Sequence, residues 1–230
     1  MSPPSKPDLA MQMRLKNFDE WYKGFQEHAT SKSISMAGVK YDFPLTRGEI
    51  CDEAHTEVFQ NVDDPNHIVC CMKSVDMEKM GALMGSENFV KMSAEAIVQD
   101  PTPMLMVDPP PPGTPPPPGP AEPPTMLFWG EVADTDKWVK GFKAHGSSKT
   151  GTWGYEVPIT RGEFCDEAKT VTFKSKKRAN WCGGIMFNVM MEKLGPVLGD
   201  PAMQKVQGDL GEIPDTKVMK VLLPMPAPPQ

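Results

Sequence analysis

Two histidines and two cysteines recur at matching places along this chain. A histidine, a thiol and nearby carboxylates can support acid–base chemistry or bind a divalent metal. His28 closes the pattern Asp19, Trp21, Gly24, Phe25, His28, which returns as Asp136, Trp138, Gly141, Phe142, His145. Cys51 lies in the block YDFPLTRGEICDEAHT (41–56), which aligns without gaps to YEVPITRGEFCDEAKT (155–170), with eleven of sixteen positions identical. The candidate catalytic residues are therefore His28, His145, Cys51 and Cys165. The candidate binding residues are Trp21, Trp138, Tyr41, Tyr155, Arg47, Arg161, Glu49, Glu163, Asp52 and Asp166. His55 and His67 are replaced by Lys169 and Trp181, so a site shared by both copies cannot use them. No nucleotide-binding loop, nucleophile elbow or His-Glu-x-x-His metal motif is present.

The block also has a plainer reading. Thr46-Arg-Gly-Glu49 and Thr160-Arg-Gly-Glu163 are capping boxes that would each open a short helix. Ile50 and Ala54, with Phe164 and Ala168 in the second copy, would face inward beside the cysteines. Pro44 and Pro158 would set an extended lead-in. On this reading the glutamates cap, the arginines are surface partners and the cysteines are small core residues. The alternative is a lid that closes over a pocket between sheet and helices, bringing Arg47, Cys51, Asp52 and Glu53 to His28.

The elements that must position these residues follow from periodicity. A strand is predicted over Ala10–Leu15, matched by Leu127–Val132. A helix follows over Phe18–Ala29, with Asn17 as N-cap and Glu20 three residues later. Trp21, Phe25 and His28 fall on one face of it. A hairpin comes next, Glu57–Val62 and His67–Val75 around Asp63–Asn66, its second strand apolar enough to be covered on both faces. A second helix over Met77–Ala96 and a last strand over Met104–Val107, matched by Val218–Leu223, complete a β-α-β-β-α-β order. Residues 108–124 hold eleven prolines in seventeen positions, which excludes helix or central strand. Such a linker favours polyproline II and could span up to ~50 Å; a docking site for a proline-binding module is the sharper alternative. The expected domains are 1–107, the linker 108–124, and 125–230.

Composition bounds the partners. The 230 residues carry a net charge of −6, with basic residues scattered, which argues against a nucleic-acid or anionic-membrane partner. No apolar run approaches the ~20 residues of a membrane span, and the first residues lack the apolar stretch of a secretory signal. An intracellular, cytoplasmic protein is expected, with an organelle also allowed if a transit peptide was removed. Five cysteines without a CxxC pair signal neither a disulfide framework nor a zinc knuckle. The eighteen methionines suit gap-filling or an adaptable apolar pocket.

The Phe-Asp-Glu-Trp helix start, the Asp-Asp-Pro-Asn hairpin and the Val-Asp-Met-Glu-Lys-Met…Ser-Glu-Asn-Phe second helix resemble the dimeric α+β barrel superfamily. The nearest flavour is its antibiotic-biosynthesis-monooxygenase-like and stress-responsive members. The resemblance covers most of each copy except residues 33–56, about twenty of which are extra to such barrels. It implies an α+β fold, two ferredoxin-like βαββαβ repeats forming a (pseudo)dimeric α+β barrel, closed by self-association between repeats or between chains. It further implies a small-molecule-binding protein for an apolar or aromatic metabolite, with oxidation, cyclisation or isomerisation without a dedicated cofactor as its enzymatic form. The Asn, Trp and His constellation of haem-degrading members does not map onto this chain. The alternatives are a non-catalytic assembly protein and a divalent-metal-binding protein using the His/Cys/carboxylate clusters.

Overall fold

β1 (Asp8–Leu15) leads through Asn17, whose side chain accepts from the Glu20 amide, into α1 (Phe18–His28). A computed structural model describes residues 6–107 and 123–224. The proline-rich linker lies outside the described residues except for its last two positions. The fold class is α+β, with six helices among the described residues and an antiparallel β-barrel. The described residues divide into two compact units, 6–106 with 224, and 107 with 123–223. No helix among the described residues is long and apolar enough to cross a membrane.

In the first unit a two-stranded hairpin, β2 (Ser33–Met36) and β3 (Val39–Asp42), follows α1. β4 (Asp52–Asn61), β5 (His67–Lys73), α2 (Met77–Met84), α3 (Glu87–Ala96) and β6 (Ile97–Val107) complete it. β1 pairs antiparallel with β5, Leu9 opposite Met72, and with β6, Leu9 opposite Leu105. β4 pairs with β5 on its other side. The first six residues of β5 are all buried, as its apolar run predicts for a strand covered on both faces. The helices pack over Met13, Cys70 and Met72.

The second unit repeats the plan with β7 (Thr125–Glu131), α4 (Thr135–His145), β8 (Asp166–Ser175), β9 (Trp181–Phe187), α5 (Met191–Gly199), α6 (Pro201–Asp209) and β10 (Val218–Pro224). β7 pairs with β9 and β10, and β8 with β9. Residues 147–160, three fewer than in the first copy, form turns without a counterpart of β2 and β3.

Three expectations change. The helix over 77–96 is two helices, because Gly85 ends one and Ser86 starts the next; Asp200 and Pro201 make the same break in the second copy. The capping boxes open only a single 3-10 turn each, Arg47–Glu49 and Arg161–Glu163, because strand pairing takes over at Asp52 and Asp166. Ala54 and Ala168 are exposed, not inward. The register there skips, with Asp52 opposite Lys73 but Glu57 already opposite Cys71, and the second copy skips identically from Asp166 to Val171. The intervening residues bulge away from the ladder.

Candidate functional site

The stripe on α1 and the duplicated block meet at the end of that helix. An α-helix leaves its last carbonyls without intrahelical donors. Here the block supplies two of them: an Arg47 Nη1–H donates to the Phe25 carbonyl, and the Gly48 amide donates to Ala29 O at 3.1 Å. The guanidinium lies over the Phe25 ring, 3.3 Å from its centroid, and Phe25 stacks on Trp21 at 4.8 Å. Nε and Nη2 of Arg47 both donate to the Glu53 carboxylate at 2.6 Å. The arginine is 4% exposed, so it is not the surface partner that the capping-box reading expected. A cation at a helix C-terminus also complements the helix dipole.

The second copy rebuilds the same clamp. Arg161 is 2% exposed, donates to the Phe142 carbonyl and to both oxygens of Glu167, and lies 3.5 Å from the Phe142 centroid. Gly162 donates to Gly146 O at 3.0 Å. Thr46 and Glu49 hold the 3-10 turn by reciprocal bonds of 3.3 and 2.7 Å, and the Thr160 amide donates to Glu163 at 2.6 Å. The cysteines staple the bulge that follows: Cys51 Sγ lies 3.5 Å from Thr56 Oγ1, Cys165 Sγ 3.6 Å from Thr170 Oγ1, and each threonine donates to the carbonyl of Asp52 or Asp166 at 3.0 Å.

Beneath the clamp in the first unit lies a pocket of about 100 Å³ between sheet and helices. Seven of the eighteen methionines line it, from Met11 and Met13 on β1 to Met92 on α3, together with Trp21, Phe25, Ile34, Ile50, Leu83 and Phe89. Its polar lining is short: His28, Arg47 and Ser93. A pocket of about 70 Å³ occupies the corresponding place in the second unit, lined among others by Phe142, His145, Arg161, Phe164 and Gln207. Larger rings stand there at two lining positions, Phe128 for Met11 and Phe164 for Ile50.

His28 and His145 share one geometry. Nε2 of His28 is 2.9 Å from the Leu45 carbonyl, and Nε2 of His145 is 3.0 Å from Ile159 O. A carbonyl only accepts, so Nε2 carries the proton and Nδ1 is the basic nitrogen of the neutral ring. Burial pushes both imidazoles below the ordinary histidine value, more than the carbonyl bond raises them. Both rings are therefore neutral at pH 7.

The candidate residues do not all converge. Trp21, His28 and Arg47 border the first pocket, while Cys51, Tyr41, Glu49 and Asp52 do not. His28 and Cys51 hold different hydrogen-bond partners, and burial pushes both the Cys51 and the Cys165 thiols up, away from thiolate. Exposed Asp52 pairs with His55 at 2.7 Å, and Asp166 with Lys169 at 3.3 Å. Tyr41 donates to Glu95 at 2.5 Å and Tyr155 to Asp209 at 2.8 Å, tying each insertion to the following helix pair. Burial first, then the carboxylate, pushes each of these phenols up to about 12. Trp138 donates from Nε1 to Glu212 at 2.9 Å and borders a smaller recess. Among the described residues no three His, Cys, Asp or Glu side chains group as metal ligands, so the metal alternative lacks its ligand set.

Sequence reasoning missed Ser93. Its hydroxyl is buried and has no hydrogen-bond partner, and a lone serine in an amphipathic helix carries no sequence signal for that. It named Glu53 only as part of a lid, although the recurrence of Arg47 and Glu53 six residues apart as Arg161 and Glu167 signalled a pair.

No family model and no curated protein matches the chain. Among solved structures it is similar to two bacterial proteins provisionally named monooxygenases. One, from Lactobacillus acidophilus NCFM, has a TM-score of 0.31 and 9% identity over 96% of this chain and 94% of that one. The other, from Fusobacterium nucleatum, has a TM-score of 0.32 and 9% identity over 97% and 94%. Both likenesses are loose and at the level of fold.

Proposed function

We propose that the chain is a small-molecule-binding protein that holds an apolar or aromatic metabolite in the methionine-lined pocket of its first repeat, residues 1–107. One observation carries this reading: a pocket of about 100 Å³ whose wall is apolar except for His28, Arg47 and Ser93. Apolar walls with a few placed polar groups are the usual make-up of ligand sites. The volume is below the ~150 Å³ of an apolar cavity that accepts benzene, so the guest is small or the methionines repack around it. The residues quoted for the dimeric α+β barrel resemblance favour the same reading, with the linker 108–124 joining the copies. Where the ligand reacts, His28 is the base we assign, through Nδ1 of its neutral ring; Cys51 serves the bulge.

The test is thermal unfolding of the full chain with increasing toluene, together with crystals soaked in it. A specific guest stabilises by about 2.7 kcal/mol at a hundred times its dissociation constant. Density beside Trp21 and Met80, with a concentration-dependent rise in Tm, is the expected result. Leu83→Trp, which fills the pocket, is expected to abolish both, whereas Val197→Trp in the second repeat leaves them. Neither density nor a Tm shift in the unaltered chain would leave the reading without support and end it.

A further inference from the structure

The pocket's polar groups differ in what they have left to offer. Every nitrogen of the Arg47 guanidinium already has a partner, two on Glu53 and one on the Phe25 carbonyl. The Glu53 carboxylate also balances its charge, so Arg47 offers little to an anion. No carboxylate lines the pocket, so nothing there would balance a cation. Burying an unpaired ion in such surroundings is costly enough to exclude it. Nε2 of His28 is taken by the Leu45 carbonyl, which leaves Nδ1 able to accept but not to donate. Ser93 is different: its Oγ is shut from solvent and makes no hydrogen bond, although a buried hydroxyl normally finds one.

Resting on the pocket reading above, we propose that the ligand is a compact neutral molecule with a single hydroxyl or carbonyl oxygen that meets Ser93 Oγ, a phenol-class guest. The hydroxyl can donate to a carbonyl or accept from a phenol, so one contact satisfies both partners. The apolar remainder of the guest lies among the methionine side chains and Trp21. The second repeat is not equivalent. Gln207 stands where Ser93 does, 114 residues on, and its pocket is smaller, about 70 Å³. The site is therefore single per chain.

The experiment is titration calorimetry of the full chain with benzene, phenol, benzoate and benzylamine, repeated on Ser93→Ala. Phenol is expected to bind, and Ser93→Ala to weaken it about fivefold while leaving benzene within twofold, the share of one net hydrogen bond. Benzoate and benzylamine are expected to give no heat of binding in either protein. Equal effects of Ser93→Ala on benzene and phenol would overturn the assignment of Ser93, and leave the pocket reading standing because benzene still binds. Benzoate or benzylamine binding as tightly as phenol would overturn the neutral-ligand class. If none of the four binds, the pocket reading falls and this inference with it.

Discussion

Replacing Arg47 by methionine keeps an unbranched stem but removes the guanidinium that joins the end of α1, the Phe25 ring and Glu53. Removing one member of a buried ion pair typically costs about 3–5 kcal/mol, because the other is left uncompensated. The side chain of Arg47 is 5% exposed and that of Glu53 27%. The carboxylate left behind by Arg47→Met can therefore rehydrate, which puts the cost near the lower end, about 3 kcal/mol. Of this, about 1 kcal/mol is the Phe25 carbonyl losing its donor. Glu53→Leu strands the less exposed partner and is expected to cost more, about 4–5 kcal/mol. The double variant strands neither charge, so it should be at least about 2 kcal/mol more stable than the sum of the single effects implies.

A chain of two repeats need not unfold in one step, so a global midpoint does not isolate the cost at the end of α1. Native-state hydrogen exchange at the α1 amides reads the local free energy directly. A loss of about 3 kcal/mol lowers protection there roughly a hundredfold, since about 1.4 kcal/mol is a factor of ten. Protection in α4, clamped by its own Arg161, should stay within a few-fold. A cost below about 0.5 kcal/mol for Arg47→Met would refute the clamp, since exposed ion pairs are worth that little. So would strict additivity in the double variant.

Two further perturbations probe the same architecture. A Cβ at Gly48 would sit 2.9 Å from the Ala29 carbonyl oxygen, and one at Gly162 2.9 Å from Gly146 O. Both obstacles are backbone, so Gly48→Ala and Gly162→Ala should each destabilise their repeat by about 1–3 kcal/mol, and a neutral result in α1 exchange would contradict the close approach. Stability should also depend on pH near neutrality. His28, His67 and His145 are each held below 6.5 chiefly by burial, so the unfolded chain binds protons first. Their contribution is complete above about 6.5 and is lost as pH falls through that value toward the lower folded-state values. Urea midpoints from pH 7.5 to 5 should fall accordingly, and His28→Gln should flatten the share belonging to α1. A midpoint that rises on acidification would show that the rings charge in place.

The α1 face, the strand order and the Asn17 cap were legible because helix and strand periods and capping side chains act locally. The break at Gly85 and Ser86 was also written there, but the apolar period runs through it and hides it. What was not legible depended on distance along the chain. Arg47 reads as a surface residue until the helix end twenty-two residues earlier is placed beneath it. Ala54 has the type of an inward residue, yet the bulge that turns it out is set by the pairing of Asp52 with Lys73 across the sheet. Ser93 reads as an ordinary helix serine, and only the packing around it leaves its hydroxyl buried without a partner.

The duplication also changes what similarity between the copies means. Recurrence of Thr-Arg-Gly-Glu-x-Cys-Asp-Glu first suggested a shared site. In the structure its members, with Thr56 just beyond them, have structural tasks that both copies need: Thr46 and Glu49 cap, Arg47 and Glu53 clamp, Gly48 permits the approach, and Cys51 and the Asp52 carbonyl hold the bulge through Thr56. Identity between the copies therefore marks what keeps a helix end seated on a strand. A ligand site need not be duplicated, and three positions around the pocket differ between the copies: Met11 and Phe128, Ile50 and Phe164, Ser93 and Gln207. Each of the first two exchanges puts an aromatic ring in the second copy, where the pocket is smaller. This predicts a directional result. Phe164→Ile should enlarge the second pocket and let it take benzene, while Ile50→Phe should shrink the first and weaken it, and calorimetric stoichiometry of each variant reads both.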